Sequence, residues 1–261
     1  MKLIMSINYK FMEISPSELI NKVKNTDING FEVCFNIKDL KEVNYVSKLA
    51  KIIATTDLIL QFHGDSELSI EDIYNYLNLI NKFSKITNKK CNIVFHSIFK
   101  NNIIQSMQET IVLFNKILEY VDKNHYNLSI SIENLNNINN EDRLNKDDLI
   151  PILKRYHQLY FTYDIGHELV EYHKILPISK LHLERLNNIH VHSFHDNDDH
   201  QILNAYNNKE LWLKAINYIN KIKYSGTLVF EYNLYCFNGD VENKIELYIK
   251  SICNTGKLLV N

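Results

Sequence analysis

Glycine and proline are scarce in this chain, which has only 6 and 3 of them among its 261 residues. Since these residues form most tight turns, their scarcity predicts connections that are short or built from asparagine, which tolerates left-handed backbone. Apolar runs are also short, because none approaches the ~20 residues that a membrane-spanning helix needs. We therefore expect a protein without a membrane segment.

Cysteine is sparse as well, and the four thiols at positions 34, 91, 236 and 253 have no CxxC spacing. No apolar signal segment opens the sequence, because Lys2, Asn8 and Lys10 interrupt it. These features predict a cytoplasmic protein whose cysteines are reduced and mostly buried.

A strong net charge is also missing, since the formal value is only -2. The charge balance therefore gives no overall electrostatic reason to bind nucleic acid or an anionic membrane, although it leaves room for a local basic patch. With 45% hydrophobic and 23% charged residues, the chain can bury a substantial core. Its length suits one large α/β domain or two small ones.

What the chain does contain is an alternation of strand-like and helix-like segments from start to end. The strand-like segments cover residues 2–8, 30–35, 58–63, 92–96, 128–133, 159–164, 188–193 and 226–231. The helix-like segments cover residues 15–24, 39–54, 69–86, a long stretch ending at 120, 142–156, 167–186, 209–221 and 240–252. We expect interruptions near Pro151 and Pro177, and a polar loop over 195–207. Eight βα units without a linker predict an α/β fold, a single (β/α)8 TIM barrel spanning 1–261.

Seven apolar runs end on histidine, aspartate or glutamate. These runs cover residues 58–63, 92–96, 128–133, 160–164, 188–190, 226–231 and, more weakly, 30–32. Strands that deliver such side chains at their C-terminal ends are typical of a parallel barrel with its chemistry at one mouth. The pattern therefore favours an enzyme over a binding module.

Alternation along the strands places polar residues on the barrel interior. In the fifth strand, Ser129, Ser131 and Glu133 share the face opposite to Leu128 and Ile130. Buried ionisable residues are costly unless they are paired or bind a metal. The candidate ligands are His63, His96, Glu133, Asp164, His167, His190, Asp198, His200 and Glu231.

Mixed imidazole and carboxylate ligands suit a divalent metal, and we expect Zn²⁺ or Mn²⁺, with Fe²⁺ also compatible. So many ligands at one mouth can hold one to three ions. Two further inward-facing residues, His192 and Glu32, are candidates for substrate contact, and Glu32 is also a candidate for supporting the metal site.

Five short motifs carry a resemblance to a known family. They are Ile132-Glu133-Asn134, Asp164-Ile-Gly-His167, His190-Val-His-Ser, Asp198-Asp-His200 and Phe230-Glu231. In this order the chain resembles the xylose isomerase-like TIM-barrel superfamily. That superfamily includes sugar isomerases, ketose 3-epimerases and the endonuclease IV type of apurinic endonuclease.

The resemblance implies that Glu133, Asp164, His190 and Glu231 share a divalent metal, with both glutamates also moving protons on the sugar. The endonuclease IV branch implies further zinc ligands and three ions in all. Its additional positions correspond here to His63, His96, His167, Asp198 and His200.

The sequence departs from both branches. After His190 it reads Ser-Phe-His-Asp-Asn at 193–197, without the arginine usual in the epimerases, and after His96 it lacks the His-Pro-Gly of the endonucleases. No mouth loop is visibly basic, which disfavours a DNA substrate. We therefore expect an isomerase or epimerase acting on a small sugar or sugar phosphate. An apurinic endonuclease with a nucleic-acid substrate stays the alternative, and a metal-stabilised binding protein ranks third. Assembly into a homo-oligomer is left open.

Overall fold

The protein was analysed as a computed structural model that describes residues 1–64, 69–100, 102–136, 143–195, 198–203 and 209–259. The side chains at 195, 198, 199 and 209 lie outside this description. Eight parallel strands pair in a closed ring, which confirms the predicted (β/α)8 barrel. Their bounds are β1 Lys2–Ile7, β2 Ile28–Cys34, β3 Ile59–His63, β4 Cys91–His96, β5 Leu128–Glu133, β6 Leu159–Asp164, β7 Leu186–Val191 and β10 Thr227–Phe230. The ring follows chain order, and β10 closes it by pairing with both β7 and β1.

Helices connect the strands on the outside of the ring. Their bounds are α1 Pro16–Val23, α2 Leu40–Ile53, α3 Ile70–Thr87, α4 Ile103–Lys123, α5 Ile150–Arg155, α6 Ile165–Tyr172, α7 Lys180–Arg185, α8 Lys209–Lys221 and α9 Val241–Leu259. Side-chain caps define several starts, as the sequence indicated. Ser15 forms a capping box with Glu18 at α1, and Ser69 accepts a hydrogen bond from the Asp72 amide at α3. Within the described residues, no helix combines the length and apolar character that crossing a bilayer requires.

Two predicted segments differ from the structure, and a third is confirmed. The expected helix over 142–156 is reduced to α5, because Pro151 occupies its first turn, where a missing N–H is tolerated, rather than interrupting a longer helix. The expected helix over 167–186 is divided into α6 and α7 with Pro177 in their connection, which confirms the predicted interruption. The expected loop over 195–207 contains part of an antiparallel hairpin, formed by β8 Ser193–His195 and β9 Asp198–Gln201.

The cysteines also differ from expectation. Each is a free thiol, but only Cys91 is buried, whereas Cys34, Cys236 and Cys253 are half-buried. Cys34 ends β2, and Cys236 belongs to the connection after β10. These two thiols therefore lie at the edge of the core, where strand ends meet the loops.

The barrel interior is partly polar, as strand alternation predicted. Ser131 of β5 donates a hydrogen bond to the Asn92 side chain of β4 at 3.0 Å, and Asn187 of β7 donates to the same oxygen at 2.7 Å. Because β4 and β7 are not neighbours in the ring, the second bond crosses the lumen. The apolar side chains, such as Ile130 and Ile132, instead join one core cluster with the helices. Three apolar residues, Ile4, Val94 and Val229, are buried outside that cluster and share the inward face of their strands, so polar groups occupy only part of the barrel axis.

A buried ion pair connects the loops around the mouth. The Lys146 ammonium lies 2.5 Å from Glu168, and both side chains are 3% exposed. Glu168 also accepts hydrogen bonds from the Tyr163 hydroxyl at 2.8 Å and from the Leu176 amide at 3.0 Å. The pair therefore attaches the segment before α5 to α6, whose first turn carries His167.

We predict that Lys146→Met lowers the free energy of unfolding by about 3–5 kcal/mol, because Glu168 would keep a buried charge without its partner. The matched control is Lys180→Met, since Lys180 is 90% exposed and pairs with Glu184 on α7. That substitution should cost below about 1 kcal/mol. Guanidinium unfolding measures both. Equal effects of the two substitutions would contradict a stabilising role for the buried pair.

Candidate metal centre

A cavity of about 360 Å³ opens where the strands end, which is the mouth that carries the active site in barrels of this kind. Strand ends supply much of its wall. The lining residues are Ser6, Asn8, Cys34, His63, Gly64, His96, Glu133, Leu135, Arg143, His167, His200, Glu231, Tyr232 and Asn233. Its size suits a small ligand. Six of the predicted site residues are thus in one wall.

His190 is at the centre of the buried charges below this cavity. The ring is fully buried, and its Nδ1 atom lies 3.2 Å from Glu133 and 3.2 Å from Glu231. Its Nε2 atom lies 3.3 Å from Glu32, whose other oxygen accepts a hydrogen bond from Gln61 at 2.8 Å. These contacts link β7 to β5, to β2 and to the end of the neighbouring β10. One imidazole therefore joins three carboxylates across the axis.

The second carboxylate oxygen of Glu133 lies close to two further imidazoles. His63 Nε2 lies 2.9 Å from that oxygen, and His96 Nε2 lies 3.3 Å from it. The register explains part of this convergence, since His96 of β4 is the direct neighbour of Glu133 of β5. Glu133 is 1% exposed, so water screens these interactions little.

Asp164 starts the next group of side chains. As the N-cap of α6 it accepts a hydrogen bond from the His167 amide at 2.8 Å through Oδ1. Its Oδ2 atom lies 3.1 Å from His192 Nε2 and 3.4 Å from His167 Nδ1. The His192 and His200 rings lie 4.4 Å apart between centroids. The short Asp164–His167 spacing, which the sequence analysis singled out, therefore brings both residues to one point.

Three sets of potential ligand atoms lie within 4.8 Å of one another. They are Glu133 with Asp164, His190 and Glu231; His63 with Glu133 and His190; and His167 with His192 and His200. All but one of the predicted ligands converge in these sets or contact them, as His96 does through Glu133. The exception is Asp198, whose backbone is in β9 but whose side chain lies outside the described residues. Glu32 and His192 are fully buried, and their predicted contact with substrate stays a prediction.

Electrostatics couple these groups strongly. Burial opposes a charge on His63, but the Glu133 carboxylate outweighs it and raises the pKa of His63 to about 9. For His190, burial is likewise outweighed by the surrounding glutamates, which hold its pKa well above the usual range. Burial would raise the pKa of Glu133 and Glu231, yet His190 lowers both. Burial lowers the pKa of His96. The acids are thus held ionised by imidazolium groups.

The donor set fits a divalent cation. Around a cation with ligand bonds of about 2.1 Å, neighbouring donor atoms are about 3–3.4 Å apart, and one oxygen of Glu133 and one of Glu231 each lie at this distance from His190 Nδ1. Histidines that bind a metal through one ring nitrogen typically direct the other ring nitrogen to a carbonyl or carboxylate. His63 Nδ1 lies 3.0 Å from the Gly64 carbonyl, and His167 Nδ1 lies 2.9 Å from the Asn134 carbonyl. Their Nε2 atoms are therefore directed away from these carbonyls, and that of His63 lies against Glu133.

Some cavity residues escaped the sequence analysis. Ser6 and Cys34 are near the ends of β1 and β2, so strand parity could have identified them. Asn8 and Asn233 are in connections, where no periodicity exists to orient them. Arg143 precedes α5 and packs over the Phe99 ring at 5.9 Å. It is the one lysine or arginine among the described cavity-lining residues, and nothing in its local sequence pattern marks it.

No protein-family model and no curated protein matches the chain. Solved structures do match it along nearly its whole length. A D-tagatose 3-epimerase-like protein has 16% identity and a TM-score of 0.67, with 98% of this chain and 99% of that chain covered. D-psicose 3-epimerase from Clostridium cellulolyticum H10 has 12% identity and a TM-score of 0.69, with 100% and 98% covered. A xylose isomerase domain protein from Alicyclobacillus acidocaldarius has 10% identity and a TM-score of 0.64, with 99% and 100% covered.

The chain has the xylose isomerase-like TIM-barrel fold. At the level of the fold, this confirms the resemblance that the five motifs indicated. At such low identity the match is one of architecture, because the same barrel supports many chemistries through its loops and mouth residues. The activity must therefore be argued from the site.

We predict that metal affinity rises with pH up to about pH 9, the raised pKa of His63. A cation held by Glu133 would repel the proton that His63 carries beside it, so binding of protons and binding of cations oppose each other. The raised pKa of His63 in the folded state stabilises the metal-free protein. This contribution is complete below about pH 6.5 and is lost as the pH rises through about 9. Each displaced proton changes the apparent affinity by about tenfold per pH unit.

Calorimetric titration with Zn²⁺ in buffers of different ionisation enthalpy measures the protons released. His63→Gln should release fewer protons than the wild type. His125→Gln is the control, because His125 is exposed and follows α4 on the opposite side of the barrel from the mouth. A metal affinity that is independent of pH would contradict the competition.

Proposed function

We propose that the protein is a divalent-metal-dependent isomerase or epimerase that acts on a small sugar or sugar phosphate. One observation carries the proposal. Of the four residues in the largest ligand set, Glu133 and Glu231 line the cavity, whereas Asp164 and His190 are fully buried beneath it. Two ligands beneath the cavity suit the anchoring of a cation, and two glutamates in the cavity wall suit contact with both the cation and a substrate.

Four residues would hold the metal, namely Glu133, Asp164, His190 and Glu231. A bound divalent cation would stabilise negative charge that develops on a substrate oxygen beside the reacting carbon. Glu133 and Glu231 come from β5 and from the end of β10, on different sides of the ring. One glutamate can remove the carbon-bound proton while the other returns a proton on the opposite face. His63, His96 and His167 line the same cavity and would contact substrate hydroxyls.

Two further facts support a sugar as substrate. The solved structures of similar fold include a D-tagatose 3-epimerase-like protein and a D-psicose 3-epimerase. The cavity wall is rich in hydrogen-bonding side chains, including Asn8 and Asn233, which suit several hydroxyl groups. Arg143 supplies a guanidinium, the group that pairs best with a phosphate. This residue supports the inclusion of sugar phosphates in the substrate class.

We predict that the metal-loaded protein exchanges a carbon-bound proton of a ketose or ketose phosphate with solvent. In D₂O, loss of the sugar proton signal by NMR measures this exchange. Glu231→Gln should slow it by about 10²–10⁴-fold, which is the contribution of a general acid or base. Metal content is measured on each variant, so that lost metal is not mistaken for lost proton transfer.

The control for this experiment is Glu119→Gln, because Glu119 is exposed on α4 and bonds only to Asn115 among the described residues. Its exchange rate should equal that of the wild type. Fully metal-loaded wild-type protein that exchanges no proton across a broad panel of ketoses and their phosphates would contradict the proposal.

A second candidate function is a zinc phosphodiesterase of the endonuclease IV type. It is favoured by the imidazoles beyond the four-ligand set, since His63, His96, His167 and His200 all face the same cavity. Several zinc ions there would supply hydroxide at neutral pH and stabilise a leaving oxygen. Among the described cavity residues, however, only Arg143 is a lysine or arginine, whereas DNA backbone binding needs several such contacts.

The two functions differ in metal content and substrate. The phosphodiesterase predicts about three zinc ions per chain and cleavage of an abasic DNA duplex, by the resemblance to that family. Elemental analysis of protein purified without chelator counts the ions, and gel electrophoresis detects strand cleavage. A single ion per chain without cleavage would exclude the phosphodiesterase and leave the sugar isomerase. Three ions with cleavage would reverse this order.

A further inference from the structure

His192 has a buried environment unlike that of the other histidines around the cavity. Its side chain is fully buried and does not line the cavity wall, although the neighbouring rings of His167 and His200 do. Among the described residues, its polar contacts include the Asp164 carboxylate, the His200 amide and the Ser193 carbonyl. Distance alone would allow His192 to be a metal ligand together with His167 and His200.

The hydrogen bonds fix the tautomer of this ring. The His200 backbone N–H donates to His192 Nδ1 at 3.2 Å, so Nδ1 carries the lone pair. The proton is then on Nε2, which lies 3.1 Å from Asp164 Oδ2 and donates to it. The alternative tautomer would satisfy only the Ser193 carbonyl, at 3.1 Å from Nδ1, and would oppose both other groups. Both ring nitrogens of the favoured tautomer are therefore engaged.

This differs from the rings of His63 and His167. In each of these, Nδ1 lies close to a backbone carbonyl, whereas Nδ1 of His192 accepts a hydrogen bond from the His200 amide. His192 Nε2 donates to Asp164, a residue that would itself hold the cation. This arrangement suits a ring that orients a ligand, and proximity to His167 and His200 does not by itself make His192 a ligand.

The first turn of α6 contains a glycine against which the His192 ring packs. A Cβ atom built on Gly166 would lie 2.3–2.5 Å from three atoms of the His192 imidazole. Because real Cβ atoms do not approach so closely, the ring lies on the glycine in the space that a side chain would occupy. Gly166 is in the first turn of α6. It follows the cap residue Asp164 by two positions and directly precedes His167. The motif Asp164-Ile-Gly-His167 thus contains the glycine against which His192, the residue after β7, packs.

We infer that His192 is a positioning residue, which holds the Asp164 carboxylate in place for the cation and ties it to the backbone of β9 at His200. Asp164 Oδ1 is occupied by the His167 amide and Oδ2 by the His192 ring, so both oxygens are oriented before any cation binds. Hydrogen-bond partners of ligating carboxylates typically contribute 10–100-fold to metal affinity. The inference rests on the metal site of the proposed function.

The test is the affinity for Mn²⁺, measured from the EPR signal of the free ion, for His192→Leu and His192→Gln. Leucine fills the space but donates no hydrogen bond, and we expect its affinity to be about 10–100-fold lower. Glutamine places an N–H near the position of Nε2, and should recover most of this loss. Circular dichroism on each variant identifies the temperature range in which it is folded, and the titrations are done within that range.

Gly166→Ala provides an independent variant that alters no hydrogen-bonding group. Alanine is favoured over glycine inside a helix, so helix propensity alone would stabilise the protein. If the new methyl group displaces the His192 ring, metal affinity should fall as in His192→Leu. Gly256→Ala is the control, because Gly256 is also a helical glycine, lies in α9 outside the cavity wall, and its new methyl group would meet the Leu3 side chain.

The outcomes separate the two proposals. Wild-type protein that binds no Mn²⁺, Zn²⁺ or Co²⁺ would contradict the metal dependence of the proposed function. Wild-type protein that binds Mn²⁺, with His192→Leu binding equally well, would contradict the inference alone. The inference would also be overturned if His192→Gln and His192→Leu lost one bound ion per chain to the same degree, because His192 would then be a ligand.

Discussion

Burial of several carboxylates on one axis is the constraint around which this site is organised. Glu32, Glu133, Asp164 and Glu231 are each less than a tenth exposed, and the ion-pair partners that the described residues offer them are imidazoles. Carboxylates without a compensating charge are expensive to bury. In the metal-free state, the raised pKa values of His63 and His190 provide that charge. The barrel is therefore built to hold positive charge at this point.

Parallel strands make this concentration of charge compatible with a stable fold. Side chains alternate, so each strand can contribute apolar residues to the core between sheet and helices and one ionisable residue to the mouth. Register then aligns the contributions, as with His96 beside Glu133 and Asp164 beside His190. The helices contribute in turn, because the same Asp164 that faces the charges caps α6 and places His167. Local structure and site geometry thus depend on the same few atoms.

The sequence was sufficient to predict the barrel and the convergence of the ligands, because both follow from strand parity and from residues at strand ends. His63, Glu133 and His190 could be placed in this way. Tertiary features were not predictable. The β8–β9 hairpin has strands of three and four residues, too short for a periodic pattern. Arg143 reaches the cavity from a connection without periodicity. The role of Gly166 depends on contact with a ring 26 positions later in the chain.

The charge balance also bears on how many cations the site can hold. Counted as ionised, the four buried carboxylates exceed the charge of the His63 and His190 imidazolium groups by two. A first divalent cation that displaces both protons leaves this excess unchanged, since two positive charges enter and two leave. A second divalent cation would neutralise it, and His167 and His200 offer nitrogen ligands beside Asp164. A third would make the buried cluster positive without further carboxylates among the described side chains. The charge balance of the described cluster therefore accommodates a second cation beside the one that the four-residue set would hold.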